Sequence, residues 1–209
     1  IGHIFAITQN IKRVYLSQKE KKWDPFVVES IRDKVVGIMG LGSVGAYIAY
    51  KLHQLGMQVI SIDEQEKKLP YINEEYLIDD LHEFLTMPDF LIVALPLTAK
   101  TKNIIGENEL NIMKEAAYLF NISRSGLINT DALIRALKEY TIEGAVLDVF
   151  DQEPLPKENE LWSLDNVTIT PHISGPSLPK DIAKVFLENM KRFESHKKLK
   201  GIVDLEKQY

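Results

Sequence analysis

The stretch Val35-Val36-Gly37-Ile38-Met39-Gly40-Leu41-Gly42-Ser43-Val44-Gly45 decides the fold of this chain. Its apolar first half reads as a strand buried on both faces. Glycines in G-x-G-x-x-G spacing follow, and Ala46-Tyr47-Ile48-Ala49-Tyr50-Lys51-Leu52-His53-Gln54-Leu55 then reads as a helix. In that order Gly40 permits a tight turn, Gly42 lets backbone approach a pyrophosphate, and Gly45 lets helix and strand pack closely. The phosphates would meet free N–H groups, those of Ser43 and Val44 among them, at the positive end of the helix dipole. A second strand, Gln58-Val59-Ile60-Ser61-Ile62, ends at Asp63. That acid lies 18 residues past Gly45, close to where a ribose 2′-hydroxyl needs an acceptor.

Strands and helices alternate onward from this unit. Apolar runs Phe90–Leu95, Ala117–Ile122, Gly144–Phe150 and Asn166–Thr170 read as further strands, with helices at Asp79–Met87, Glu107–Lys114 and Thr130–Lys138 between them. The pattern predicts an α/β fold with a doubly wound parallel sheet. Upstream, Ile4, Ile7, Ile11, Val14 and Tyr15 recur at helical spacing and predict one amphipathic helix ending near Trp23-Asp24-Pro25. Downstream, a helix starting near Pro179 places Ile182, Val185, Phe186, Met190 and Phe193 on one face. The expected division is a linker helix over 1–24, a dinucleotide-binding domain over 25–175, and a helix with its tail over 176–209.

Composition narrows the function classes. With 209 residues and 45% hydrophobic content, the chain can bury a full core. A net charge of -5 and no basic cluster argue against nucleic acid as the main partner. Cysteine is absent, which excludes disulfides and thiolate metal sites and fits a reducing compartment, so cytoplasmic location is expected. The longest apolar run is too short to span a bilayer. The first residues lack a signal-peptide pattern and an initiator methionine, and they read as the inside of a helix, so the chain is expected to be a piece of something longer.

In open α/β sheets, ligands bind beyond the carboxyl ends of the strands. Those ends carry Gly40 to Gly45, Asp63, Leu95-Pro96, Ser123-Arg124, Asp148 and Pro171-His172, with Glu153 just after the Asp148 strand. Singly, His172 could cap a strand, Arg124 could make a surface ion pair, and Glu153 could be a solvated loop acid. An acid closing an apolar strand, as Asp148 does, wants a hydrogen-bonding partner. Together on one edge they point to chemistry.

In these blocks the chain resembles the D-isomer-specific 2-hydroxyacid dehydrogenases. The resemblance rests on Val36 to Gly45, Ala94-Leu95-Pro96-Leu97-Thr98, Asn121-Ile122-Ser123-Arg124, Gly144 through Asp148-Val149-Phe150-Asp151-Gln152-Glu153-Pro154-Leu155-Pro156, and Thr170-Pro171-His172-Ile173-Ser174-Gly175. It implies an NAD-dependent oxidoreductase passing hydride between nicotinamide and a small 2-oxo or 2-hydroxy acid, this chain being mainly its cofactor-binding domain. His172 would be the general acid/base, Glu153 would hydrogen-bond it and favour its charged form, and Arg124 would bind the substrate carboxylate. Asp148 would face the nicotinamide end and Asp63 the adenosine ribose. The full expected cofactor set is Gly40, Gly42, Ser43, Val44, Gly45, Asp63, Leu95, Pro96, Thr101, Ile122, Ser123, Arg124, Asp148, His172 and Gly175, with no metal. Acid at 63 favours NAD over NADP, with Lys67 and Lys68 nearby.

Two departures stand out. Ser125 follows Arg124 where the family usually has glycine, and Gly126 comes next. Family members also begin with a substrate-binding segment before the first linker helix; its absence here leads to the expectation that half of the cleft lies outside this chain and that the end helices expose apolar faces. A homodimer through the cofactor domain is expected, without nucleic acid or membrane as partner. The alternative is an NAD(H)-binding regulatory or truncated, non-catalytic module of the same fold.

Overall fold

The computed structural model describes residues 1–175 and 178–205. Residue 176, the expected domain boundary, and the last residues of the expected tail, 206–209, lie outside the described residues. Seven strands form one parallel sheet: β1 (Val35–Met39), β2 (Gln58–Asp63), β3 (Glu74–Leu77), β4 (Phe90–Val93), β5 (Tyr118–Asn121), β6 (Gly144–Leu147) and β7 (Val167–Ile169). Their spatial order is β3-β2-β1-β4-β5-β6-β7. The order reverses between β1 and β4, which is where a doubly wound sheet opens a crevice for a ligand.

Helices α1 (Gly2–Thr8), α2 (Ile11–Lys19), α3 (Ser43–Gln54), α4 (Leu81–Leu85), α5 (Glu107–Ile112), α6 (Thr130–Lys138) and α7 (Pro179–Glu194), with short 3-10 helices at Ile78–Asp80, Ser125–Leu127 and Glu160–Ser163, complete the described elements. Two apolar layers cover the sheet. On one face Ile4 of α1 and Ala49 and Leu52 of α3 pack with Val36, Ile38 and Phe90. On the other, Phe84 and Leu85 of α4, Leu110 of α5 and Leu133 and Leu137 of α6 pack with Met39, Leu91, Leu119 and Leu147. Each of these side chains larger than alanine contributes about 1.5–3 kcal/mol by leaving water.

One expectation is corrected and one element is new. The single amphipathic helix is two, broken where Asn10 adopts a left-handed conformation (φ 46°) that asparagine tolerates better than most residues. Thr8 helps end α1, its hydroxyl donating to the Ile4 carbonyl at 3.0 Å. The second helix stops at Lys19, before Trp23. Strand β3 has no counterpart in the sequence reading, because Glu74-Glu75-Tyr76-Leu77 is a charged, half-exposed edge strand without an apolar run. Helix α6 is capped by Asn129, whose side chain accepts the Ala132 N–H. The long α7 begins with Pro179 as expected and buries none of its residues; Phe186 and Phe193 lie exposed.

Candidate active site

The crevice at the strand-order reversal is a cleft of about 650 Å³. Backbone builds its floor. Gly40 takes a φ of 94°, and a Cβ there would stand 3.0 Å from the carbonyl oxygen of Ala94, just after β4. A Cβ on Gly45 would lie 1.9 Å from the Gly40 carbonyl oxygen, so only glycine lets α3 seat against the turn. Gly42, by contrast, has nothing within 4 Å of its would-be Cβ and opens onto the cleft as the N-cap of α3. The first-turn N–H groups of a helix have no intrahelical acceptor, and those of Ser43, Val44 and Gly45 lie on this wall. A 12-residue helix adds its positive end to them.

Side chains fix the walls. Asp63, closing β2, accepts the Leu41 N–H at 2.7 Å through one oxygen and the Glu64 N–H at 2.7 Å through the other. This ties β2 to the glycine turn and leaves carboxylate lone pairs toward the cleft, since each oxygen can accept more than one bond. On the β4 side, the Thr101 hydroxyl donates to the Pro96 carbonyl at 2.6 Å, and Thr98 N–H donates back to it at 2.8 Å. Ser123, after β5, donates its hydroxyl to the Leu95 carbonyl at 2.5 Å. The cleft thus gathers Gly40 to Gly45, Asp63, Leu95, Pro96, Thr101 and Ser123. It also includes Lys67, which the sequence placed near Asp63, together with Thr98 and Lys100, which were not among the expected cofactor residues. These residues fit a dinucleotide, with an open glycine, free helix N–H groups and an acidic end to β2.

Farther along the same edge, Asp148 follows β6 and is 1% exposed. Its carboxylate accepts the Thr170 hydroxyl, the Ile173 N–H at 2.9 Å and the Ser174 N–H at 2.8 Å. Burial pushes this carboxyl up, but those bonds outweigh it and hold the group below its ordinary range. Asp148 therefore clasps the loop after β7, the loop that carries His172. There His172 sits at φ 55°, an uncommon conformation for a non-glycine residue that the clasp and the His172 N–H bond to Thr170 (3.1 Å) sustain.

From that position His172 Nδ1 meets Glu153 Oε2 at 2.8 Å. Glu153 is itself held, its Oε1 accepting the Phe150 N–H at 2.9 Å. His172 first, then that N–H, holds the Glu153 carboxyl below its usual range. An ionised carboxylate requires Nδ1 to carry the hydrogen, which leaves Nε2 as the atom that exchanges a proton. This is the base-and-orienter arrangement of general acid/base catalysis.

Arg124 stays outside that pair: its guanidinium donates to the Ser123 carbonyl at 2.7 Å. The turn that presents it is set by Asn121, 2% exposed, which donates to the Arg124 carbonyl at 2.9 Å and accepts the Ser123 N–H at 3.2 Å. Sequence reading quoted Asn121 only as part of a block; a polar residue ending a buried strand was the available signal. Ile122 is half-buried on this turn and Gly175 is exposed past the clasped loop. Of the expected cofactor set, Ile122, Arg124, Asp148, His172 and Gly175 do not line the 650 Å³ cleft. A second cavity, about 230 Å³, lies behind the loop over Phe150–Pro156, and among its lining residues Asn121, Thr130, Asp151 and Asn159 are hydrogen-bonded within the chain. Among the described residues no group of three or more His, Cys, Asp or Glu could hold a metal, and no helix is long and apolar enough to cross a membrane.

Known proteins are similar to this chain in sequence and fold. The sequence profile described as D-isomer specific 2-hydroxyacid dehydrogenase, NAD binding domain, matches residues 1–174. A glyoxylate reductase of Thermofilum pendens is 35% identical over 185 residues, covering 85% of this chain and 55% of that protein. A D-3-phosphoglycerate dehydrogenase of Methanocaldococcus jannaschii is 39% identical over 181 residues, 82% of this chain and 33% of the relative. A D-isomer specific 2-hydroxyacid dehydrogenase of Xanthobacter autotrophicus, solved with NADPH and MES, superposes with a TM-score of 0.91 at 30% identity, over 99% of this chain and 85% of that one. The chain thus spans about half the length of the first relative and a third of the second.

Proposed function

The chain belongs to the D-isomer-specific 2-hydroxyacid dehydrogenase family and corresponds to its NAD-binding domain, and from that premise we propose that it is the cofactor-binding part of a dehydrogenase acting on a small 2-oxo or 2-hydroxy acid. The observation that carries the proposal is the Glu153–His172 pair, 2.8 Å apart, on the edge that also holds the dinucleotide cleft.

When bound, a reduced nicotinamide supplies a hydride to the 2-oxo carbon. The residues of this chain do the rest. His172 gives the proton at Nε2 to the substrate oxygen, and takes it back in the oxidation direction. Glu153 accepts Nδ1–H and fixes the orientation of the ring. Arg124 supplies a planar fork for the substrate carboxylate. Asp148 is a positioning residue for the His172 loop, and Asn121 one for the Arg124 turn. Asp63 favours NAD(H), because a 2′-phosphate would meet a like charge. The relatives' names support glyoxylate, hydroxypyruvate or phosphohydroxy acids as the substrate class.

Partner and location follow the same reading. We propose a homodimer through the cofactor domain, which exposes more than nine-tenths of Val27 near its start. Sedimentation at micromolar concentration should show a dimer; a monomer contradicts this. A cytoplasmic location is assigned from a cysteine-free composition.

The test of activity is NADH oxidation with glyoxylate, hydroxypyruvate, pyruvate and bulkier 2-oxo acids. It is run on this chain and on a form extended to the relatives' full length. Turnover in the extended form, lost in His172→Gln, supports the dehydrogenase. Binding of NADH without turnover in either form supports the regulatory, non-catalytic module instead.

A further inference from the structure

The adenosine end of the cleft holds a cation that the assignment of Asp63 does not use. Lys67 lines the same wall as Asp63 and Glu64, and its Nζ stands 3.7 Å from Asp63 Oδ1. The loop holds it there: the Lys67 N–H donates to Glu75 Oε2 at 2.6 Å, and Glu75 Oε1 accepts the Leu69 N–H at 3.2 Å. Strand β3, which carries Glu75, therefore fixes the register of the turn after β2. The neighbouring Lys68 is directed elsewhere, pairing with Glu66 at 3.8 Å, and is not part of the cleft wall. Lys100 does line the cleft, but from the loop after β4, on the opposite side of the glycine turn from β2.

A bound 2′-phosphate at this end would meet two opposing charges. Asp63 repels it, and both Asp63 oxygens are already tied to backbone N–H groups, so the carboxylate cannot simply swing away. The Lys67 ammonium, by contrast, sits on a flexible stem and is 38% exposed, free to leave its long ion pair for a doubly charged phosphate. We propose that Lys67 is a cofactor-specificity residue that offsets Asp63 and lets this cleft accept NADPH as well as NADH, the latter more tightly. The proposal rests on the reading of the cleft as a dinucleotide site.

Equilibrium titration of the full 209-residue chain with NADH and with NADPH, followed by nicotinamide fluorescence, tests it without any turnover. The unaltered chain should bind both. Lys67→Met should weaken NADPH by about fivefold, the size of one partly exposed charge contact, with NADH changed less than about twofold. Lys67→Arg should restore NADPH binding. Asp63→Ser should raise the NADPH-to-NADH affinity ratio, and the gain should shrink when Lys67→Met is added. The proposal is overturned if the unaltered chain binds NADH alone, or if Lys67→Met shifts both cofactors equally or neither. If the unaltered chain binds neither cofactor, the dinucleotide reading itself fails, and this one with it.

Discussion

The two halves of the carboxyl edge are built differently. Between β2 and β4 the cleft is mostly backbone: a turn that only glycine can make, helix N–H groups, and an acid bonded to the main chain. Between β5 and β7 the edge is side chains held by side chains and by loop N–H groups, with Asp148 clasping the loop of His172 and Glu153 braced on Phe150 N–H. A backbone-built site presents a fixed surface of donors, which suits a large anionic cofactor. A side-chain-built site places individual titratable groups, which suits proton transfer. Damage to the first half should appear as lost binding or lost fold, and damage to the second as lost turnover with binding kept.

The sharpest separation is expected from His172→Gln in a form that turns over. Turnover should fall by about a thousandfold, the scale of a lost general acid/base, while NADH affinity changes less than about twofold. Loss of both together would merge the two halves. Gly45→Ala comes next, on the other side of the comparison. Its methyl would stand 1.9 Å from a carbonyl oxygen, so thermal unfolding should show a loss of about 3 kcal/mol or more; a loss within about 0.5 kcal/mol would mean the turn is not the fixed element described here.

Asp148→Asn is expected to be smaller, about 1–3 kcal/mol, because a buried, multiply bonded carboxylate loses its charge-assisted bonds. Its folded value lies below the ordinary 3.8. The stabilisation is therefore fully present above that ordinary value and is lost as pH falls through the depressed one. Melting temperatures of the unaltered protein and Asp148→Asn should differ at neutral pH and converge in strong acid; a constant gap at every pH contradicts the clasp. The mildest is Glu153→Gln, expected to lower turnover by about ten- to a hundredfold with unchanged melting temperature and NADH affinity, since it orients the acid/base without being it. A variant as slow as His172→Gln would give Glu153 a direct part in the chemistry.

The same contrast explains what the sequence made legible. Glycine spacing, the apolar run of Val35–Met39 and Asp63 at the end of β2 announce a backbone-built cleft, because each of those features is a local constraint. Residue types at strand ends brought Arg124, Glu153 and His172 to one edge through the fold rule alone. What they touch was less legible: Asp148 binding a loop more than twenty residues away depends on tertiary register, whereas Asn121 sets the Arg124 turn from three residues away, and only its polarity at the end of a buried strand marked it. Strand β3 was missed because its partner, not its composition, makes it a strand. The break at Asn10 was missed because a helical period continues across it while the backbone does not.

The most direct measurement is the fluorescence titration of NADH onto the unaltered chain and onto Gly42→Ala. Gly42 faces open space, so its methyl should cost the fold at most about 1 kcal/mol as a poorer N-cap. That methyl would instead occupy the place where phosphate meets backbone. Saturable binding by the unaltered chain, weakened more than about tenfold in a folded Gly42→Ala, is the expected result. Equal binding by the two, or none by the unaltered chain, would contradict the claim that this edge begins with a backbone cradle for a dinucleotide.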